Sequence, residues 1–560
     1  MANKLELTWY GKENEPKIEP RLLIENKELS NTNNDPDTEN ILIHGDNLLA
    51  LKALENKYAG KVKCIYIDPP YNTGSAFEHY NDNLEHSIWL NLMYYRFKYF
   101  HTLLRSDGAL FVNLDDSEAA YAKVILDEIF GRNNYLNEII VATNKSFGFK
   151  STSDGIFKQA NHLLLYAKNK SKCNLNSDKL IIEKEYDEQY KFVFENTDKD
   201  EKEWTWRNIK EVVAEELGYK NSKEAKKELR DMFDEKIALY AIDNSKNVFR
   251  TASVTGGAFL KRKNTIQYSK AHKNEIVRHP NDDMDYMFIG GERVLFYKER
   301  LKEIDGIMLP AELITDIWND ISVEGIAKEG SVNFPKGKKP EKLLKRCIEI
   351  SSNPGDLVLD SFLGSGTTAA VAHKMGRKWI GIEMGEHAYT HCKVRLDKVI
   401  SGEDKGGITK SVNWQGGGGY RFYELAPTLI NQDAFGEYII NKEYNADMLA
   451  ATVALHEGFS YNPSPEIFWK QSTGSENSYL FVTTKHITAA YLQAIKDTMQ
   501  DNEYLIIACK SYDEKAANAF GNIVIKIIPQ MLLNRCEFNK DNYNLNIVHP
   551  PVYDEVEDDE

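Results

Sequence analysis

Cysteine is scarce and scattered: the 560 residues contain six, and none forms a CxxC pair. That spacing offers neither a zinc site of paired thiolates nor a disulfide framework. No stretch approaches 18 uncharged apolar residues, and Met1 to Lys17 is charged throughout, so neither a membrane span nor a secretory leader is expected. A soluble protein of the reducing cytoplasm fits. The histidines, including His44, His79 and His101, lack metal-ligand spacing, and no metal site is expected. Gly416 to Gly419 is not followed by the Lys-Ser/Thr of a phosphate loop, so it reads as a flexible connector. Nor is there a basic excess: 85 Asp plus Glu face 70 Lys plus Arg, a net charge of −15. This argues against whole-surface attraction to a polyanion, although a local basic groove remains compatible with it. Hydrophobic residues make up 42% and aromatics 11%, enough for a sizeable core. At about 100–200 residues per domain, the length implies two to four domains.

Along the chain, residues 1–40 read as a loose N-terminal arm ending in the polar stretch NTNNDPDTE. Runs at Ile41 to His44, Val62 to Ile67, Gly108 to Asn113 and Glu138 to Val141 have strand character, and Ile88 to Leu104 and Ala119 to Phe130 have helical spacing. Strands alternating with helices predict a parallel α/β sheet covered on both faces. The alternation breaks down over residues 146–330, which read as an inserted domain with a mixed-charge helix around Lys220 to Lys236. It resumes over 331–400 with a helix after Pro340, a strand Leu357 to Asp360, a helix from Thr367 and a strand Trp379 to Ile382. One sheet is thus written in two pieces, 41–145 and 331–400. A Gly-rich linker follows at 401–424, then a small α/β domain at 425–553 and an acidic, frayed tail at 554–560.

Two segments carry chemistry. Asp68-Pro69-Pro70-Tyr71 directly follows a buried-strand run, and ligands bind outside the carboxyl ends of such strands. Two prolines remove two donors, leaving carbonyls that only accept, beside an acid and an aromatic face. That set suits a planar amino group, whose two hydrogens the Asp68 carboxylate and Pro69 carbonyl would accept while Tyr71 stacks on the ring. A Pro-rich turn capped by Asp is the plainer reading. The second segment, Asp360-Ser361-Phe362-Leu363-Gly364-Ser365-Gly366-Thr367-Thr368, runs from a strand end through glycines into a helix. Gly364, Gly366 and Ala369 satisfy a dinucleotide-type pattern, and Glu383 closes the next strand as a candidate ribose acid. S-adenosylmethionine and NAD both offer that ribose. Hydride transfer has no use for Asp-Pro-Pro-Tyr, so the pair favours S-adenosylmethionine.

With these residues in hand, the chain resembles a beta-group amino-methyltransferase of DNA, and most nearly the modification subunit of type III restriction-modification systems. The segments that carry the resemblance include HGDNLLALKAL, IDPPYNTGSAFEHYNDNLEHSIWLNLM, ANHLLLYAKNK, TDIWNDISVEGIAKEG, GKKPEKLLKRCIEIS and LVLDSFLGSGTTAAVAHKMGRKWIGIE. The resemblance implies a circularly permuted, Rossmann-like S-adenosylmethionine-dependent methyltransferase sheet, an inserted target-recognition domain and a small C-terminal α/β domain. It implies a catalytic motif at Asp68, Pro69, Pro70 and Tyr71. It also implies cofactor contacts from Asp46, Asp68, Lys339, Pro340, Asp360, Phe362, Gly364, Ser365, Gly366, Thr367 and Glu383. The family's His-Pro-x-Gln lead-in is replaced here by GKKPEKL, which leaves the part played by Lys338 open.

An acid at the first motif position implies the N6 of adenine in preference to the N4 of cytosine. Either base has to be flipped out of the duplex at a cost of roughly a few kcal/mol. The family further implies a homodimer and a helicase-nuclease partner, since the chain itself has no helicase loop. The candidate phosphate contacts are Lys145, Lys150 and Lys158, and the cluster Lys261, Arg262, Lys263, Lys270, Lys273 and Arg278. Trp204, Trp206 and Arg207 are candidate anchors.

Overall fold

Residues Val62–Ile67 are buried along their whole length, as expected of a strand covered on both faces. Around this strand, the computed structural model describes residues 6–71, 86–142, 159–280, 286–304, 307–321, 325–334, 337–533, 535–541 and 543. The chain divides into two compact units, Met1–Asn176 with Asp316–Glu560, and Ser177–Thr315.

The first unit contains a ten-stranded sheet. In chain order its strands are β1 (Leu23–Glu25), β2 (Ile41–His44), β3 (Val62–Ile67), β4 (Leu104–Leu114), β5 (Tyr135–Ala142), β6 (Ala160–Ala167), β7 (Ile317–Trp318), β8 (Leu357–Asp360), β9 (Lys378–Glu383) and β10 (Arg421–Leu425). Their spatial order is β1-β10-β2-β9-β8-β3-β4-β6-β5-β7. The centre is parallel, with Cys64 opposite Val358 and Ile65 opposite Leu359. The pairs β1/β10, β4/β6 and β5/β6 are antiparallel, so the sheet is mixed where an all-parallel one was expected.

The flanking helices used below are α1 (Asn47–Tyr58), α2 (His86–Leu103), α3 (Glu341–Ser351), α4 (Thr367–Lys374) and α5 (Val394–Ser401). The connection from β3 leads to β4 on one side, and that from β8 leads through α4 to β9 on the other. A crevice opens at the carboxyl ends of two neighbouring strands whose connections diverge. Asp68 and Asp360 stand at that edge.

Several boundaries differ from those read in the sequence. The arm before residue 41 packs closely: Glu19 and Arg21 are buried, and β1 pairs with β10. The connection at 401–424 is closely packed at some of its glycines: a Cβ would lie 2.9 Å from the Ile400 carbonyl oxygen at Gly416 and 2.6 Å from that of Asn31 at Gly419, whereas Gly417 has open space around it. Its last residues form β10, which pairs with β2. The second unit is narrower than residues 146–330, because β6 and β7 belong to the large sheet. The expected mixed-charge helix is two, Ser222–Leu229 and Asp231–Asp243, broken at Arg230 with φ of 53°. The tail at 554–560 lies outside the described residues.

The second unit holds a six-stranded antiparallel sheet and a three-stranded one. Phe194 and Phe249 stack in its core with ring centroids 4.1 Å apart. In the C-terminal part of the first unit, strands Ser478–Ile487, Tyr504–Tyr512 and Ile523–Ile527 run parallel beside helices Ala446–Glu457 and Ala489–Lys496.

Candidate active site

Asp68 follows the last residue of β3, and its carboxylate is held by groups from three other places in the chain. Oδ1 accepts the Tyr71 hydroxyl at 2.6 Å and Asn113 Nδ2 at 3.0 Å. Oδ2 lies 2.9 Å from Lys339 Nζ. The Tyr71 hydroxyl accepts in turn from Asn113 Nδ2 at 2.7 Å, Asn161 Nδ2 at 3.1 Å and Lys339 Nζ at 2.9 Å. Four polar partners therefore fix the orientation of this ring. Burial, and then the Asp68 charge, push the Tyr71 phenol well above its usual range, so it stays a neutral donor. The Pro70 carbonyl accepts the Trp89 indole N–H at 2.8 Å. No donor among the described residues meets the Pro69 carbonyl, which is left available to accept.

The glycine turn after β8 faces the same cleft, which is lined by Asp68, Pro69, Pro70, Tyr71, Phe334, Lys339, Asp360, Phe362, Gly364, Ser365 and Thr367 among others. Gly364 and Gly366 have φ of 55° and 79°, the left-handed region that glycine enters without steric cost. A Cβ at Gly366 would lie 3.2 Å from Cys392 Cα. Asp360 is fully buried, and its carboxylate accepts from Phe362 N at 2.9 Å and from the Thr368 hydroxyl at 2.5 Å. Burial raises its pKa to about 7. Behind the turn, Arg395 donates to the Thr367 hydroxyl at 2.7 Å and pairs with Glu341 at 2.7 Å. Glu341 also meets Lys374 at 2.9 Å, and Lys374 meets Asp404 at 2.7 Å. All four of these charged side chains are fully buried.

Four of the residues expected at the cofactor have defined protein partners or positions in this geometry. Asp46 is buried as the N-cap of α1, with Oδ1 accepting from Leu48 N and Leu49 N and Oδ2 from Tyr543 N. Glu383 spans the glycine turn, accepting from Gly364 N at 2.7 Å and Gly385 N at 3.1 Å. Pro340 is the N-cap residue of α3. Gly366 is the N-cap residue of α4, between the cleft-lining Ser365 and Thr367. Lys338, whose part was open, ties the Ile326–Ser331 turn down by donating to the Ala327, Glu329 and Val332 carbonyls. Burial lowers its pKa to about 8.

Asn113 and Asn161 were not found by sequence reasoning. The available signal was their position at the carboxyl end of β4 and the start of antiparallel β6, the same edge as Asp68.

In the second unit, Lys261, Lys263, Lys270 and Lys273 are exposed. Arg262 is instead buried over the Tyr286 ring at 3.7 Å, and Arg278 is engaged by Glu201 at 2.6 Å, so neither cation is presented freely to a phosphate. Arg207 is paired with Glu195 and Glu215, and Trp204 and Trp206 pack against Phe194. Lys145, Lys150 and Lys158 lie outside the described residues.

A Rossmann-like sheet here places the Asp68 carboxylate and the Pro69 carbonyl in one cleft with the glycine turn after β8. The pattern of the DNA methylase family matches residues 62–393, and the chain belongs to that family. It is 36% identical over 415 residues to the probable type III restriction-modification enzyme HindVI Mod subunit of Haemophilus influenzae, covering 70% of this chain and 54% of that protein. The EcoPI Mod subunit of Escherichia phage P1 is 29% identical, over 66% of this chain and 60% of its own length. The EcoP15I Mod subunit of Escherichia coli is 24% identical, over 81% of this chain and 77% of its own length. The chain thus spans a little over half the length of the first two of these relatives.

Proposed function

We propose that this chain transfers the methyl group of S-adenosylmethionine to the N6 amino group of an adenine flipped out of duplex DNA. The observation that carries the reading is the shared cleft: the Asp68, Pro69 and Tyr71 set and the Gly364 to Thr367 turn face one another across it. When bound, the cofactor supplies an electrophilic methyl on a positive sulfur. The turn fits such a molecule, since Gly364 presents backbone without a Cβ and Phe362 lines the wall. Asp68 and the Pro69 carbonyl would accept the two amino hydrogens and draw the nitrogen toward tetrahedral geometry, an approach that requires the amine to displace one of the present partners of the Asp68 carboxylate. Tyr71, fixed by its hydroxyl, offers its ring to the base. Stacking of this kind is worth about 1–3 kcal/mol and offsets part of the cost of flipping. Most of the rate then comes from positioning.

The similarity to type III Mod subunits supports a role as the modification subunit of such a system; we further propose that it acts in the cytoplasm as a homodimer with a helicase-nuclease partner. Among the described residues no helix is long and apolar enough to cross a membrane. Residues 425–553, in which Phe435, Tyr438, Phe468 and Tyr504 are each exposed, are the candidate segment for contacts with these partners.

The test is single-molecule sequencing of plasmid DNA from a methylation-free host expressing this chain. N6-methyladenine at one short motif is the expected result. N4-methylcytosine would make the enzyme a cytosine methyltransferase. Unmodified DNA from a host with soluble, cofactor-binding protein would leave a recognition scaffold without turnover.

A further inference from the structure

Residues 244–274 contain no Asp or Glu and carry seven cations, Lys246, Arg250, Lys261, Arg262, Lys263, Lys270 and Lys273, in a chain whose net charge is −15. Half of that stretch is one helix, Gly256–Ala271, of 16 residues. At 1.5 Å per residue it is about 24 Å long.

Its two faces differ sharply. Arg262, Ile266 and Ser269, at helical spacing, are buried. Ile266 packs with Tyr286 and Phe288, Arg262 stacks on Tyr286, and the Ser269 hydroxyl accepts Gly291 N at 3.0 Å. The opposite stripe, Leu260, Lys261, Asn264, Gln267, Tyr268 and Ala271, is exposed, with Leu260 at 73% and Tyr268 at 51%. Asn264 and Gln267 lie three residues apart, and neither side chain is bonded to another group among the described residues. Lys261 and Lys263 flank this stripe near one end, and Lys270 and Lys273 near the other.

A stripe facing only water has no use for an exposed leucine beside two unengaged carboxamides. DNA provides a partner for each group. The major groove is about 12 Å wide and admits a single helix; Asn and Gln pair bidentately with adenine N6 and N7, and apolar side chains touch the thymine methyl. Lysines at both ends of the helix would reach the phosphates that border the groove. Resting on the DNA methyltransferase reading, we infer that Gly256–Ala271 is the helix that reads the target sequence in the major groove. Asn264 and Gln267 are its base-reading residues, and Lys261, Lys263, Lys270 and Lys273 its phosphate contacts.

The test uses the full chain in three forms: Asn264→Ala/Gln267→Ala, Lys261→Ala/Lys263→Ala, and the control Lys223→Ala/Lys227→Ala on the exposed helix Ser222–Leu229 of the same unit. Each is expressed in a methylation-free host and its plasmid DNA sequenced for modified bases. Each purified protein is titrated with S-adenosylmethionine and with duplex DNA at several salt concentrations. The carboxamide variant should bind the cofactor normally yet lose about tenfold or more of its discrimination at one or two motif positions. The lysine variant should keep the motif and lose about 1.8 from the slope of log affinity against log salt, at about 0.9 per phosphate contact. The control should match wild type. Both variants matching wild type on an active enzyme would overturn the helix assignment alone. Wild-type protein that binds no DNA and modifies none would overturn the methyltransferase reading as well.

Discussion

Lys339 Nζ lies 2.9 Å from Asp68 Oδ2 and 2.9 Å from the Tyr71 hydroxyl, although 268 residues separate it from Tyr71. The ammonium occupies the carboxylate oxygen that the proposed amine would approach, and it orients the phenol at the same time. Lys339→Ala should lower methylation at saturating cofactor by about tenfold or more, the range of a positioned charged group. The thermal midpoint should stay near wild type, because both partners are partly exposed. Unchanged turnover in a steady-state assay would remove Lys339 from the reaction.

The two motifs should fail in opposite order. Asp68→Ala removes the amino-group acceptor but leaves the glycine turn intact, so methylation should drop at least about 100-fold while calorimetric S-adenosylmethionine affinity changes little. Gly366→Asp places a side chain at φ of 79° with its Cβ 3.2 Å from Cys392 Cα, and should abolish cofactor binding first. Near-normal turnover by Asp68→Ala would make the assigned chemistry wrong.

Asp360 gives stability a pH dependence of defined sign. Its native pKa is raised to about 7 by burial, against 3.8 for an ordinary Asp. Between these values the native state holds a proton that the unfolded chain releases, so stability falls as pH rises through this window. The contribution is complete below about pH 4 and lost above about pH 7. Asp360→Asn does not titrate. The difference in thermal midpoint, wild type minus variant, should therefore shrink from pH 5 to pH 8. A constant difference would mean that Asp360 is ionised throughout.

Glu341 joins Lys374 and Arg395 where all three side chains are fully buried. Removing one member of such a cluster strands the others in a poorly solvating interior, at a cost of about 3–5 kcal/mol. Glu341→Ala should lower the urea midpoint accordingly. It should also weaken cofactor binding, because Arg395 holds the Thr367 hydroxyl of the glycine turn.

Much of the first unit was legible in the sequence because its signals are local. The uninterrupted apolar run Val62–Ile67 and the strand Leu357–Asp360 record burial on both faces, and the prolines and glycines that follow record turns that only they make easily. Hence the α/β class, the two-piece sheet and the positions of Asp68 and Gly364 could be read residue by residue.

Tertiary structure alone decided which side chains meet. Lys339, Asn113 and Asn161 converge on Tyr71 through the strand order and register of a mixed sheet, which no local periodicity encodes. The same holds for the acids. In sequence Asp46, Asp360 and Glu383 look alike as strand-end carboxylates, yet each is engaged by backbone N–H groups that the fold brings to it. The basic cluster shows it once more, since Arg262 is stacked on Tyr286 and Arg278 is engaged by Glu201 while the lysines around them are exposed. Sequence sets the chemistry each residue carries. Packing determines whether a charge faces solvent or a partner, because desolvation and pairing depend on neighbours far away along the chain.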